Sequence, residues 1–339
     1  MQGVPMSQVA EEAGVSIMTV SRALRGSPLV AGETKERVLA VAKRLGYRPN
    51  PLVNALMEQV RRRRSFGARV ETMAFLLPQL PPTPQQAIYK RPLLEGIAAR
   101  AGQHGYGIDQ FQYSLEPAGA RRLANILLAR GIRGVVLDYT ECPPLEQLHL
   151  PLDQIAAVAL LATRRDLGLH CVLLDNFGIM IDALVAAKSR GYLRPALAID
   201  KFNNDLVERR WTACYAEFTS HLGLQAVPPL ETKFEAGQPE PFQAWLRKTK
   251  PDLVLSDSLL VAEWIPEGRA DYCCLDLPAG PSALAGFRQH YREAAETAID
   301  VLETQLRLNE IGPPSEPRCT QLGATLCEGT RLWRALPTR

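Results

Sequence analysis

Thr19, Ser21 and Arg22 lie on a short segment whose apolar residues, Val20, Ala23 and Leu24, fall on one helical face. Two hydroxyls and a guanidinium held off that face can meet phosphate oxygens and base edges. A guanidinium paired to guanine through two hydrogen bonds supplies about 1–3 kcal/mol of discrimination. The other groups with chemistry to offer are carboxylates that follow apolar runs: Asp175, Asp257 and Asp276. At strand ends they could converge as in an enzyme, and a hydrophilic binding cleft explains them equally well. The chain has no GxSxG elbow, no HExxH and no Cys with a local His partner, so catalysis is not expected. It has neither a GxGxxG after the first strand nor a GxxxxGKS or GxxxxGKT loop, and its five His are scattered, so no nucleotide cofactor or metal is expected.

The elements that must carry these groups can be read from periodicity. Val9, Ala10 and Ala13 predict a helix from Ser7 to Ala13, with Ser7 as N-cap and Gly14 at its C-terminal stop. After Gly14-Val15-Ser16, a second helix runs from Ile17 to about Leu24 with Ser16 as N-cap, and Gly26-Ser27-Pro28 ends it. Two short helices across a tight turn form a helix-turn-helix, whose second helix enters the DNA major groove by its N-terminal residues. A third helix from about Glu33 to Leu45 carries Val38, Leu39, Ala42 and Leu45 to close a small core, and Gly46 stops it. Tyr47-Arg48-Pro49-Asn50-Pro51 must then run extended, because proline disfavours helix in the residue before it.

Charge separates this head from the rest. Residues 1–64 hold eleven Lys and Arg against five Glu, a net +6, whereas residues 65–339 hold 28 basic and 31 acidic residues, a net −3. A basic head on a slightly acidic body points to a polyanion bound by the head alone. At 339 residues the chain should contain two or three domains, and it has no apolar run long enough to span a membrane. The opening MQGVPMSQVAEEAG lacks the charged and apolar regions of an export signal, so a cytoplasmic location is expected. The seven Cys, at 142, 171, 214, 273, 274, 319 and 327, include no CxxC and are expected to be reduced core residues.

From Val70 the pattern alternates apolar strands with amphipathic helices. Strands are expected at Met73–Leu77, Ile108–Tyr113, Gly134–Asp138, Cys171–Leu174, Ala196–Ile199, Ala226–Leu230, Leu253–Ser256 and Tyr272–Leu275. Helices are expected at Leu93–Gln103, Ala118–Arg130, Gly178–Arg190, Asp205–His221, Glu240–Lys248 and Ser258–Trp264. This βαβ rhythm implies parallel sheets in two doubly wound lobes, joined by a crossover near residue 163. A long helix from Tyr291 to Leu308 should cover the first lobe.

The run AEEAGVSIMTVSRALRGSPLVAGETKERVLAVAKRLGYRPN resembles the DNA-binding headpiece of the LacI/GalR family of transcription regulators. The resemblance implies an α/β architecture, with an all-α helix-turn-helix head ahead of two doubly wound lobes of the periplasmic-binding-protein-like type I fold. It implies a helix-turn-helix domain at 1–47, a hinge helix and basic linker at 48–69, and an effector-binding and dimerisation body at 70–339. The first lobe would take about 70–163 and 285–322, and the second about 164–284 with the C-terminal tail. DNA contacts are implied for Ser16, Ile17, Met18, Thr19, Ser21, Arg22, Arg25, Tyr47, Asn50, Asn54 and Leu56. Ile17 and Met18 stand where the family usually has polar base readers; they offer only van der Waals contact to DNA, or else belong to the core. Asn50 to Met57 resembles the family's hinge helix, too short to form alone, with Leu56 either the wedge in the minor groove or a plain linker residue. Arg61-Arg62-Arg63-Arg64 is a solvated linker or a further set of phosphate contacts.

For the body, the resemblance implies an effector, a sugar or related metabolite, held by Asp175, Arg210, Trp211, Asp257 and Asp276. Asp257 could instead cap the helix after Ser258. Trp211 takes the place of the family's anchoring arginine, with Arg210 one position away. Cys274-Leu275-Asp276 replaces the usual GFD, and Pro78 to Pro84 is unusually proline-rich, so the effector is an unusual one or there is none. The expected function is a homodimeric, ligand-responsive repressor bound to a pseudo-palindromic double-stranded operator, with no cofactor and no membrane. The alternative is a cytosolic small-molecule-binding protein or degenerate enzyme whose basic head serves another polyanion.

Overall fold

The computed structural model describes residues 6–24, 30–45, 71–78, 84–113, 116–139, 148–161, 168–330 and 333–336. Three helices form the head: α1 (Met6–Ala13), α2 (Ile17–Leu24) and α3 (Gly32–Arg44). Val9, Ala10, Ala13, Val20, Ala23, Val38, Val41 and Ala42 make its core. Leu39, expected in that core, is 42% exposed, and Val41 is buried in its place. One residue is about 100° of helix, so α3 can face inward with 38, 41 and 42 only by turning 39 outward. Gly14 takes φ +65°, which lets the chain leave α1 and return for α2. A surface ion pair between Glu12 and Arg44 joins α1 to α3.

The first lobe contains β1 (Thr72–Pro78), α4 (Pro84–His104), β2 (Gly107–Tyr113), α5 (Pro117–Ala129), β3 (Gly134–Asp138), β4 (Ala156–Leu160) and β5 (His170–Leu174). The second contains α6 (Asn176–Ser189), β6 (Pro195–Asp200), α7 (Lys201–Leu206), α8 (Arg210–His221), β7 (Leu230–Thr232), α9 (Glu240–Thr249), β8 (Leu253–Ser256), α10 (Leu259–Trp264), β9 (Asp271–Cys274) and β10 (Gly286–Gln289). The chain returns to the first lobe in α11 (Tyr291–Leu308) and β11 (Cys319–Leu322), and ends on the second sheet with β12 (Ala324–Cys327). The sheet orders are β11-β5-β4-β3-β1-β2 and β12-β10-β9-β8-β6-β7. Among the described strand pairs only β10/β12 is antiparallel. Each lobe thus repeats one doubly wound order, and its central strands are largely apolar because helices cover both faces. Among the described residues no helix is long and apolar enough to cross a membrane.

Sheet membership departs from the expected division of the lobes. Cys171–Leu174, placed above in the second lobe, pairs with β4 and β11 in the first sheet. Gly286–Gln289, placed in the first lobe, pairs with β9 and β12 in the second. Which sheet a buried strand joins depends on partners distant in sequence, and local pattern is silent about them. No strand was expected at Ala156–Leu160, where three alanines among five residues suit a buried helix as well as a strand.

Local packing explains the other differences. The helix expected from Leu93 begins at Pro84 and runs through Pro92, because Tyr89, Leu93, Ile97 and Ala101 form one buried stripe along it. That burial offsets a proline cost of about 3 kcal/mol. The single helix expected over Asp205–His221 is broken by Glu208 and Arg209 at φ +53° and +59°. Arg209 is held there by Asp205 at 3.0 Å and Glu231 at 2.6 Å. The strand expected from Ala226 starts only at Leu230, because the Tyr215 hydroxyl takes the Val227 backbone: it accepts from the N–H at 3.2 Å and lies 2.8 Å from the carbonyl. The Tyr291–Leu308 helix lies on the first lobe through Ala294, Ala295, Ala298, Ile299 and Leu302, as expected.

Candidate nucleic-acid interface and interlobe site

The turn into α2 is fixed by one side chain. Ser16 Oγ accepts the Thr19 N–H at 3.1 Å and lies 2.9 Å from Thr19 Oγ1, the N-cap bond expected from sequence. Val20 and Ala23 face α1 and α3, so at about 100° per residue positions 18, 21 and 22 lie on the opposite side of the helix. Ser16 is exposed and Thr19 half-buried. Ile17, Met18, Ser21 and Arg22 occupy α2. Arg25, Tyr47, Asn50, Asn54, Leu56 and Arg61 to Arg64 lie outside the described residues.

The second candidate region follows from strand direction. β5 and β11 leave the first sheet by their carboxyl ends for the second lobe, and β10 leaves the second sheet by its carboxyl end for α11. Parallel neighbours share direction, so the carboxyl ends of both sheets lie on the side where the lobes join. In such sheets ligands gather beyond those ends, above all where strand order reverses. The reversals fall between β1 and β3 and between β6 and β8. Asp138 ends β3 fully buried, with the Tyr113 hydroxyl donating to its carbonyl at 3.2 Å.

At the second-lobe reversal, Asp257 is 4% exposed, and both its oxygens are already engaged. Oδ1 accepts the Asp200 N–H at 3.1 Å, and Oδ2 accepts Asn203 Nδ2 at 2.7 Å. It therefore ties the end of β8 to the β6–α7 turn rather than capping the next helix. Burial pushes its carboxyl up to about 6, and the bonds from Asn203 and the Asp200 backbone only partly oppose that. Asp200 is a site residue that the sequence reading missed. It caps α7 through Phe202 N and Asn203 N and also accepts the Phe234 N–H at 3.3 Å. Its signal was present, an Asp between a strand and a helix start. Buried Asn204 extends the network, donating to Thr212 Oγ1 at 3.0 Å and Glu231 Oε2 at 3.1 Å.

The remaining expected contacts separate. Asp175 is the N-cap of α6, accepting the Gly178 N–H at 3.0 Å. A Cβ at Gly178 would meet its Oδ2 at 2.3 Å, so glycine is what lets the carboxylate fold back. Asp276 is buried and accepts the Tyr291 hydroxyl at 2.9 Å, a bond from the second sheet to the helix that returns to the first lobe. Arg210 opens α8 with its side chain 15% exposed, 3.5 Å from Glu208. Trp211 does not join these groups: at 3% exposure it is buried in the second-lobe core with Ile179, Met180 and Tyr215, so the expectation that it contacts an effector is corrected. A helix presents one face inward, and here position 211 takes it. Among the described residues no group of three His, Cys, Asp or Glu could hold a metal ion. The Cys expectation also splits: 214, 273 and 274 are buried, 171 and 327 are half-buried, and Cys319 is exposed.

Residues 5–50 match the family model described as bacterial regulatory proteins, lacI family. Over 199 residues the chain is 30% identical to the HTH-type transcriptional regulator PtxS of Pseudomonas putida, an alignment covering 58% of this chain and 54% of that protein. The chain thus spans about half the length of that curated relative. The fold is that of the lac repressor dimer bound to operator and the anti-inducer ONPF, with TM-score 0.59 at 18% identity over 98% of this chain and 99% of that one. It is also similar to that of the transcriptional regulator CelR in its cellobiose complex, with TM-score 0.57 at 19% identity over 97% and 99% of the two chains.

Proposed function

We propose that residues 5–50, which match the lacI family model, are a DNA-binding head carried ahead of a two-lobed periplasmic-binding-protein-like body, and that the chain is a sequence-specific transcription regulator. In this reading it is a repressor that binds a pseudo-palindromic operator as a homodimer in the cytoplasm and responds to a small molecule between its lobes. The observation that carries it is the Ser16-capped turn that sets α2 across a packed α1–α3 core through Val20 and Ala23. Arg22 is the base reader, Ile17 and Met18 contribute apolar contact, and Ser16, Thr19, Ser21 and Arg25 meet the backbone. Tyr47, Asn50, Asn54 and Leu56 belong to the hinge, with Leu56 as the wedge. The head takes residues 1–47, the hinge and basic linker 48–69, and the sensing body 70–339.

The effector reading rests on the polar groups at the carboxyl ends of the two sheets, with Asp175, Asp257 and Asp276 at their exits and Arg210 at the start of α8. A hydroxyl-rich metabolite suits such a lining, and the CelR relative is in complex with a sugar, cellobiose. Preference of that ligand for one lobe arrangement would change the spacing of paired hinges, a coupling of about 1–3 kcal/mol.

The test is selection of the full-length chain against a random duplex library at low salt, followed by Arg22→Ala. The expected result is enrichment of two half-sites related by a two-fold axis, with Arg22→Ala relaxing preference at one position in each. Uniform weakening across all sequences would assign Arg22 to phosphate instead. The absence of any enriched duplex would overturn the regulator reading.

A further inference from the structure

Cys171 and Cys319 come from opposite ends of the body, yet they are register partners on neighbouring parallel strands, β5 and β11. Their side chains share a face of the sheet. Leu174 and Leu322, also register partners, both touch the core beneath α4 and α11. Three residues earlier on each strand, with a period of two, both cysteines must point to the opposite side. There Cys171 lies half-buried against the other first-lobe core cluster, while Cys319 is exposed on the edge strand. Backbone bonds hold the ladder around them: Cys171 N donates to Arg318 O at 2.9 Å, and Asp175 N to Leu322 O at 2.8 Å. Neighbouring strands lie about 4.8 Å apart, inside the Cα range of disulfides. The usual Cβ separation in a disulfide is shorter than that, so closing the bond requires the edge strand to tighten, which leaves the bond easily reduced.

We propose that Cys171 and Cys319 are a reversible thiol–disulfide pair, oxidised by hydroperoxides, that clamps two of the three connections between the lobes. β5 passes into the second lobe at Asp175, and β11 does so through the single residue Gly323. A covalent bond between these strands, at the start of their paired segment, fixes their sliding three residues ahead of the point where both cross to the second lobe.

The chemistry balances with hydrogen peroxide as oxidant. The exposed Cys319 thiol gives its proton to solvent as its sulfur attacks one peroxide oxygen; the O–O bond breaks, and the departing hydroxide takes a proton back from solvent, so that sulfenic acid and one water form. The Cys171 sulfur then attacks the Cys319 sulfur: the S–S bond forms, the S–O bond breaks, and the departing hydroxide takes up the Cys171 proton as a second water. Two thiols have lost two electrons and one peroxide has been reduced to two waters. Burial first, and the Cys319 neighbour second, push the Cys171 thiol up to about 12, with Arg210 pulling the other way, so Cys171 waits protonated as the resolving partner. Conversion of Cys319 to sulfenic acid removes the part of that shift due to its own charge.

The test is treatment of the full-length protein with stoichiometric hydrogen peroxide, alkylation of the remaining thiols, and peptide mapping without reduction. The expected product is one intramolecular Cys171–Cys319 peptide, abolished by dithiothreitol, absent in Cys319→Ser and Cys171→Ser, and retained in Cys327→Ser. Slower amide exchange at Cys171 and Asp175 should accompany it. Because Cys319 is exposed, Cys319→Ser keeps the comparison in a folded protein. If Cys319 ends as a sulfinic acid or pairs elsewhere while Cys171 remains open to alkylation, the proposal is overturned. None of these readouts involves DNA, so the result is independent of the regulator reading.

Discussion

Asp257→Asn isolates the cost of placing a carboxyl group at the second-lobe strand reversal. The ordinary value of 3.8 is raised to about 6 in the fold by burial, so the folded chain holds this proton more tightly than the unfolded chain does. At about 1.4 kcal/mol per pH unit, the difference amounts to about 3 kcal/mol. The sign follows from linkage. Below 3.8 both states are protonated and nothing is lost; as pH rises through 6 the folded state must ionise a buried group, and stability falls. Wild type should have lost about 1 kcal/mol of this contribution by pH 4.5 and about 3 kcal/mol by pH 7.5. Asparagine does not titrate. It keeps the acceptor for Asp200 N–H, and rotation of the Asn203 amide restores the second bond. All four tryptophans, at 211, 245, 264 and 333, lie in or against the second-lobe core clusters, so their fluorescence during urea unfolding reports that lobe alone. The difference between variant and wild type should grow with pH by about 2 kcal/mol between pH 4.5 and 7.5. A flat difference, or one that shrinks as pH rises, would mean that the bonds from Asn203 and Asp200 outweigh burial, and the reasoning would fail.

Two further outcomes test the assignments on either side of that site. Trp211→Ala should cost the second lobe about 3–5 kcal/mol, as loss of a large core side chain does, read by the same unfolding through the three remaining tryptophans; unchanged stability would return Trp211 to the ligand-facing set. Ser16→Ala should remove about 1 kcal/mol from the head by deleting its bond to Thr19 N–H, seen as faster amide exchange in α2 with the body unaffected.

Legibility followed the range of the interaction responsible. The cap at Ser16 and the glycine stop at Gly14 are contacts over two or three residues and were anticipated from residue type, whereas Asp175, expected to face an effector, proved to be a cap of the same short range. Val20 and Ala23 fell on one face for the same local reason. Asp257 and Asp276 were correctly expected at strand ends, but their partners, Asn203 and Tyr291, stand on other elements. No local pattern tells a carboxylate that faces a ligand from one that braces two turns.

The sequence by itself determined the three-helix head, the net positive charge of residues 1–64 and the alternation of strand and helix, because caps, periodicity and net charge act within a few residues or add without regard to position. Tertiary structure alone decided that Cys171–Leu174 joins the first sheet, that Trp211 turns inward while Arg210 stays nearer the surface, and that Cys171 meets Cys319 across a strand pair. Those outcomes depend on which distant apolar surfaces and backbone groups find each other, and that choice is made by burial over the whole lobe.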